Sequence, residues 1–190
     1  ILKTGAPPPE LEARFGSYPD MLIEMIGHDG FEYEVFDVQT DPLPERGEHQ
    51  GVVITGSPSG VYDGDAWIQD LKMWIIGAQG HCKMVGICFG HQVMAKANGC
   101  DVKKWPRGWG IGVHSYQVDR RRDWMEPWLE TVRLPASHQD QVIDRGAPTW
   151  VTLTSGAVNN NLKYEGSDRG DTFGVNGRFQ LVPDTWTFSF

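Results

Sequence analysis

The sequence predicts one domain built on an open, mainly parallel α/β sheet with helices on both faces. Three observations point there. A chain of 190 residues with 39% apolar and 11% aromatic residues supplies one core of useful size. Segments of strand composition alternate along it with segments of helical periodicity, the pattern that lays crossover helices over a parallel sheet. Met84-Val85-Gly86-Ile87 is an uninterrupted apolar run, as expected of a central strand covered on both faces, and it leads straight into Cys88.

Taken in order, a short first strand is followed by the Pro-rich loop Ala6-Pro7-Pro8-Pro9. Pro19 then stands where a first helical turn tolerates proline, ahead of Met21, Leu22, Met25 and Ile26, with Gly27 or Gly30 as the stop. Phe31 to Val38, rich in aromatic and β-branched residues, reads as a strand, and Val52-Val53-Ile54-Thr55 as another, ended by Gly56. Asp65 suits the N-cap of a helix whose Trp67, Leu71, Trp74, Ile75 and Ala78 share one apolar face, closed by Gly80. After the Met84–Ile87 strand, helical periodicity returns from Phe89 to Asn98, with Gly99 just past the end. Beyond it Gly112–Val118 and Trp150–Thr154 read as strands, and Asn159-Asn160-Asn161 as a turn or cap signal. Ligands are expected at the carboxyl ends of the parallel strands.

Charge and composition exclude several functions. Lys plus Arg number 17 against 25 Asp plus Glu, a formal net charge of −8, the wrong sign for holding nucleic acid by general electrostatics. No apolar run reaches the length of a membrane helix, and no signal-peptide pattern opens the chain, so a cytoplasmic protein without a membrane partner is expected. The three cysteines, Cys82, Cys88 and Cys100, match neither a disulfide framework nor a zinc site. No His, Cys, Asp and Glu cluster has metal-ligand spacing, so neither metal nor other cofactor is expected. The chain starts at Ile1 and stops within Trp186-Thr187-Phe188-Ser189-Phe190, which alternates like a half-buried strand. The expectation is a single domain over 1–190, cut through secondary structure at both ends.

Gly86-Ile87-Cys88-Phe89-Gly90 has the form of a nucleophile elbow with cysteine at its centre. A sharp turn from strand to helix strains the central residue, and side chains two positions either way would collide with it. The turn sets Cys88 at a helix N-terminus, whose N–H groups and dipole favour a thiolate and can hold an oxyanion. The competing reading is a buried structural cysteine.

With the next two residues, Gly86-Ile87-Cys88-Phe89-Gly90-His91-Gln92 resembles the nucleophile motif of class I glutamine amidotransferases. Thr55-Gly56-Ser57-Pro58-Ser59-Gly60-Val61-Tyr62-Asp63 is similar to the family's glycine-rich loop, and Ser137-His138-Gln139-Asp140-Gln141-Val142 to its downstream pocket segment. The Gly-Ile-Cys-Phe-Gly-His-Gln and His-Gln-Asp forms are most similar to the stand-alone branch that includes γ-glutamyl peptidases. The resemblance implies a flavodoxin-like sheet and cysteine-dependent hydrolysis of the γ-amide of glutamine or of a γ-glutamyl compound, through a γ-glutamyl thioester. It implies Cys88 as nucleophile and Gly56, Ser57 and Phe89 around the oxyanion. Gln92, His138, Gln139 and Asp140 fall at the substrate pocket, with Gln92 either holding substrate or bracing the oxyanion loop. The implied partner is the small-molecule substrate, glutamine or a γ-glutamyl compound; ammonia then either passes to a separate synthase or is simply released by hydrolysis.

The family's base is the histidine of a late His-Pro-Glu motif, and no His-Pro-Glu occurs here; the last histidine is His138. Three explanations stand. Trp186–Phe190 is the strand that precedes the motif and the chain stops short of it. Alternatively Val175–Gln180 or Gln180–Asp184 occupies its place, leaving a poor enzyme because neither Arg178 nor Val182 can accept the thiol proton. In the third, His138 serves as base. A catalytically inactive binding or regulatory protein is the alternative function. His91 reads best as a satisfied histidine beneath the site. Trp105, Trp109, Trp124 and Trp128 are either core or an aromatic surface. Gly108–Gly112 lacks the Lys-Ser/Thr of a phosphate loop, and Arg120-Arg121-Arg122 is a solvated run.

Overall fold

The computed structural model of the protein describes residues 1–117, 129–143 and 185–188. In chain order its first elements are β1 (Leu2–Lys3), α1 (Pro9–Phe15), α2 (Tyr18–Ile26), β2 (Phe36–Asp37), β3 (Gly51–Ile54), α3 (Ala66–Ala78), β4 (Lys83–Ile87) and α4 (Phe89–Ala97). The strands β5 (Asp101–Lys104), β6 (Gly110–Gln117), β7 (Thr131–His138), β8 (Asp140–Ile143) and β9 (Thr185–Phe188) follow.

Five strands form one parallel sheet in the order β2-β1-β3-β4-β9, the order of a doubly wound, flavodoxin-like fold. From β1 the chain steps one way to β2, and from β3 it steps the other way to β4 and β9. Right-handed crossovers in opposite directions put α1 and α2 over one face and α3 and α4 over the other. The direction reverses between β1 and β3, so a crevice opens at their carboxyl ends. Beside this sheet, β5 pairs with β8 and β6 with β7, both antiparallel.

The core explains why these segments hold. Ile54 and Met84 from the sheet, Ile68, Leu71 and Ile75 from α3, and Phe89, Val93 and Met94 from α4 are all fully buried. Each such side chain contributes about 1.5–3 kcal/mol by leaving water. Trp67, only partly buried, packs its ring on Phe89 with centroids 5.5 Å apart, while Ile68 beside it takes the core position. Trp74 donates its indole N–H to the Pro44 carbonyl at 2.7 Å, which removes the cost of burying that polar atom.

Several elements differ from the sequence expectation. Of Phe31–Val38 only Phe36–Asp37 is strand, because β1 offers just two residues to pair with; Phe31 and Val35 remain exposed. The Pro-rich loop gives way to a helix at Pro9, where Pro8 holds an extended backbone and Pro9 presets the first helical φ. Strand β6 runs Gly110–Gln117 rather than Gly112–Val118, with β7 as its partner along its whole length. Trp186–Phe190 appears as β9 over Thr185–Phe188. Asp65 takes the N-cap position of α3 without a side-chain cap bond; the capping box of the fold is instead Ser17 with Asp20, at α2. The expectations at Trp150–Thr154, Asn159–Asn161, Trp124, Trp128, Arg120–Arg122, Val175–Gln180 and Gln180–Asp184 lie outside the described residues.

Candidate active site

Two glycines set the shape of the turn at Cys88. A Cβ on Gly86 would lie 2.5 Å from the Gly90 carbonyl carbon and 2.6 Å from the His91 nitrogen, and one on Gly90 would run into the Ile54 carbonyl oxygen. Only hydrogen fits at either position, so α4 can start directly above the end of β4, and the Gly90 N–H reaches the Thr55 carbonyl at 3.1 Å. Between them Cys88 caps α4 at φ 51° and ψ −107°, the one non-glycine at positive φ among the described residues. Such a conformation costs about 1–3 kcal/mol and persists only where its surroundings enforce it.

The loop after β3 faces the cysteine. A Cβ on Gly56 would stand 3.8 Å from the Cβ of Cys88. Buried threonines hold that loop down: Thr4 donates its backbone N–H to the Thr55 hydroxyl at 2.9 Å, and its own hydroxyl donates to the Thr55 carbonyl at 2.9 Å. Gly5 brings the next turn close, since a Cβ there would meet Pro58 Cδ at 2.8 Å and Ser57 Cα at 3.0 Å. Thus the β1 turn, the β3 loop and the Cys88 elbow converge at the predicted crevice.

They enclose a cleft of about 620 Å³. Its lining includes Cys88, Ile87 and Ser137 with Thr55, Gly56, Ser57 and Pro58 of the β3 loop. Ala6, Pro7 and Pro8, after β1, and Tyr18, Met21 and Leu22 of α2 complete it.

Burial pushes the Cys88 thiol up from its ordinary value; the Phe89 N–H pulls it back toward the thiolate, and the Asp140 charge raises it further. Tyr18 is raised by burial and by the charge of Cys88. The segment Ser137–Asp140 forms a network beside α4. Gln92 donates from Nε2 to the Asp140 carbonyl at 3.1 Å, and His138 Nδ1 meets the same carbonyl at 3.0 Å. Tyr62 donates its hydroxyl to Asp140 Oδ1 at 3.0 Å, and its own pKa is pushed up to about 12 by burial, by that bond and by the charges of Asp140 and Asp63. Burial lowers His138, against the Asp140 bond and charge, and takes His91 down to about 3, with His138 adding to the shift.

The expected site residues therefore fall into two groups. Cys88, Gly56 and Ser57 share the cleft, and Phe89 supplies its N–H to the sulfur from a fully buried side chain. Gln92, His138, Gln139 and Asp140 are not among the residues lining it: Gln92 braces the strand turn at Asp140, and Gln139 reaches the Trp105 carbonyl at 3.4 Å. His91 lies buried on the first turns of α4. Sequence reasoning missed Tyr18, Met21, Leu22 and the two prolines, because only the crossover from β1 to β2 brings that segment over the cleft. Ser137, the first residue of the expected pocket segment Ser137–Val142, lines the cleft, although it was not among the individual residues expected to bind substrate. Among the described residues no group of three or more His, Cys, Asp and Glu could hold a metal ion, and no helix is long and apolar enough to cross a membrane.

Comparison with known proteins bears on this arrangement. The family model described as "Glutamine amidotransferase class-I" matches residues 14–172. Gamma-glutamyl peptidase 3 of Arabidopsis thaliana is 26% identical over 141 residues, covering 68% of this chain and 56% of that protein. A GMP synthase [glutamine-hydrolyzing] of Campylobacter fetus is 27% identical over 132 residues, 67% of this chain and 24% of its own length. The chain thus spans little more than half of the peptidase it matches, and a quarter of the synthase. A glutamine amidotransferase structure from Thermotoga maritima superimposes with a TM-score of 0.68 at 16% identity, covering 88% of this chain and 67% of the other, which establishes the shared fold.

Proposed function

This chain belongs to the class I glutamine amidotransferase family, and from that premise we propose that it hydrolyses the γ-amide of glutamine or of a γ-glutamyl compound through a thioester on Cys88. The observation that carries the reading is the strained cysteine at a helix N-terminus, opening into a cleft with Gly56 beside it. Strain of this kind is maintained where it presents a nucleophile.

In the proposed reaction the Cys88 sulfur attacks the γ-carbonyl carbon, a C–S bond forms, and the carbonyl electrons move onto oxygen. Backbone N–H groups at Gly56, Ser57 and Phe89 are suited to hold that oxyanion. The intermediate collapses, the C–N bond breaks, and the proton taken from the thiol goes to the departing nitrogen. Water then attacks the thioester, releasing glutamate and returning the proton to sulfur. The segment His138-Gln139-Asp140, beside the cleft rather than lining it, would hold the glutamyl head, with Gln92 fixing its position through the Asp140 carbonyl. Ammonia from glutamine would either leave to solvent or pass to a separate synthase, and an amine would leave to solvent.

The proton acceptor is the remaining part. His138 is a weak candidate, since burial lowers its proton affinity and Nδ1 is engaged at the Asp140 carbonyl. Strand β9 lies beside β4 with Phe188 opposite Ile87, the residue before Cys88, so a histidine of the family's late type placed after such a strand would be suited to take the thiol proton.

Glutamate release from glutamine and from γ-glutamyl dipeptides tests the reading. Release is expected from the natural protein and a loss of at least about a thousandfold in Cys88→Ala, in line with removal of a covalent nucleophile. Undiminished release from Cys88→Ala would exclude the thioester route, and no release from the natural protein would favour an inactive binding protein on this fold.

A further inference from the structure

We infer that the apolar part of the Cys88 cleft, made by Ala6, Pro7, Pro8, Tyr18, Met21 and Leu22, is a wall that serves as a subsite for the leaving amine, and that it selects γ-glutamyl amides whose amine carries an aliphatic or aromatic group. This rests on the hydrolase reading above and specifies its substrate.

Charge decides which half of the substrate meets this wall. A glutamyl group carries an ammonium and a carboxylate, and setting either against apolar surface without a partner costs several kcal/mol. None of the described residues lining the cleft is charged, and the six residues of this wall offer a single polar side-chain atom, the Tyr18 hydroxyl. The glutamyl head therefore belongs elsewhere, and the amine side of the scissile bond remains for the wall. In the amide that side is neutral, so apolar contact carries no charge penalty.

Size points the same way. Ammonia is about as large as a water molecule, roughly 30 Å³, and would touch almost none of a cleft of about 620 Å³. That volume falls in the range of about 300–1,000 Å³ typical of sites for much larger ligands. The wall is also built to stay in place. Pro7 and Leu22 are buried, α2 is fixed by its Ser17–Asp20 capping box, and Gly5 packs the turn against Pro58. A subsite of this kind gains from each added apolar group through differential binding, with about 10–200-fold per well-placed methylene as the ceiling.

Two measurements test the inference. The first compares kcat/KM for γ-glutamyl-phenethylamide, γ-glutamyl-taurine and glutamine. The phenethylamide is expected to lead both by about tenfold or more, and Met21→Glu to reduce its advantage by a similar factor. Met73→Ser, on an exposed position of α3, should leave all three rates unchanged. Glutamine or the taurine amide hydrolysed as well as the phenethylamide would overturn the subsite while leaving the hydrolase reading intact. The second uses Cys88→Ala protein and N-phenethylacetamide, which has the apolar amine half but no glutamyl head. Ligand-detected NMR should show binding that acetamide lacks and that Met21→Glu abolishes. Absence of binding would overturn the subsite whatever the catalytic outcome, and binding without glutamate release would retain the subsite and refute hydrolysis.

Discussion

Cys88 sits between opposing influences. The Phe89 N–H at the start of α4 favours its thiolate, while burial and the Asp140 carboxylate oppose it, with burial the largest effect, so the thiol is held above its ordinary value. Alkylation by iodoacetamide follows thiolate population. Its rate at Cys88 in this 190-residue chain is therefore expected to rise through a midpoint above that of a free cysteine. Asp140→Asn removes a negative charge that disfavours the thiolate, so the midpoint should move to lower pH. Mapping the alkylated peptide separates Cys88 from Cys82 and Cys100, both buried. An unchanged or higher midpoint in Asp140→Asn would contradict this electrostatic description. The residues of Gly86–Gly90 were legible in the sequence because steric need at a sharp turn leaves a local signature. Tyr18 was not, since nothing near it in sequence marks the cleft it lines.

At the scale of elements, the elbow depends on the close approach of α4 to the sheet. A methyl on Gly90 would meet the Ile54 carbonyl, which is backbone and cannot turn aside. Gly90→Ala is therefore expected to destabilise the protein by more than about 3 kcal/mol, measured by urea unfolding. Gly80→Ala, with open space around the new methyl but a φ of 77°, should cost only about 1 kcal/mol. A smaller penalty at Gly90 than at Gly80 would contradict the proposed packing. Helices α3 and α4 and strands β3 and β4 were readable from periodicity and apolar runs, because each sends apolar side chains at regular spacing into the one core. Helix α1 was not, since it buries none of its residues and starts where prolines suggest a loop. Strands β5, β7 and β8 escaped notice for a related reason: each forms a two-stranded antiparallel pair whose partner is distant in sequence or undeclared by pattern.

For the whole molecule, the strand order explains why the site lies where it does. The reversal of direction between β1 and β3 opens the crevice, β4 delivers Cys88 into it, and β9 runs alongside with Phe188 level with Ile87. The sheet was predictable from alternation alone, whereas its order was not, because parallel neighbours are brought together by crossovers rather than by local pattern.

The most direct test of the central claim is acid-quenched mass spectrometry of the natural protein during turnover of γ-glutamyl-phenethylamide. A γ-glutamyl adduct is predicted on the Cys88 peptide alone, appearing before steady-state glutamate release and absent from Cys88→Ala. Glutamate released with Cys88 unmodified, or at an equal rate from Cys88→Ala, would contradict the account.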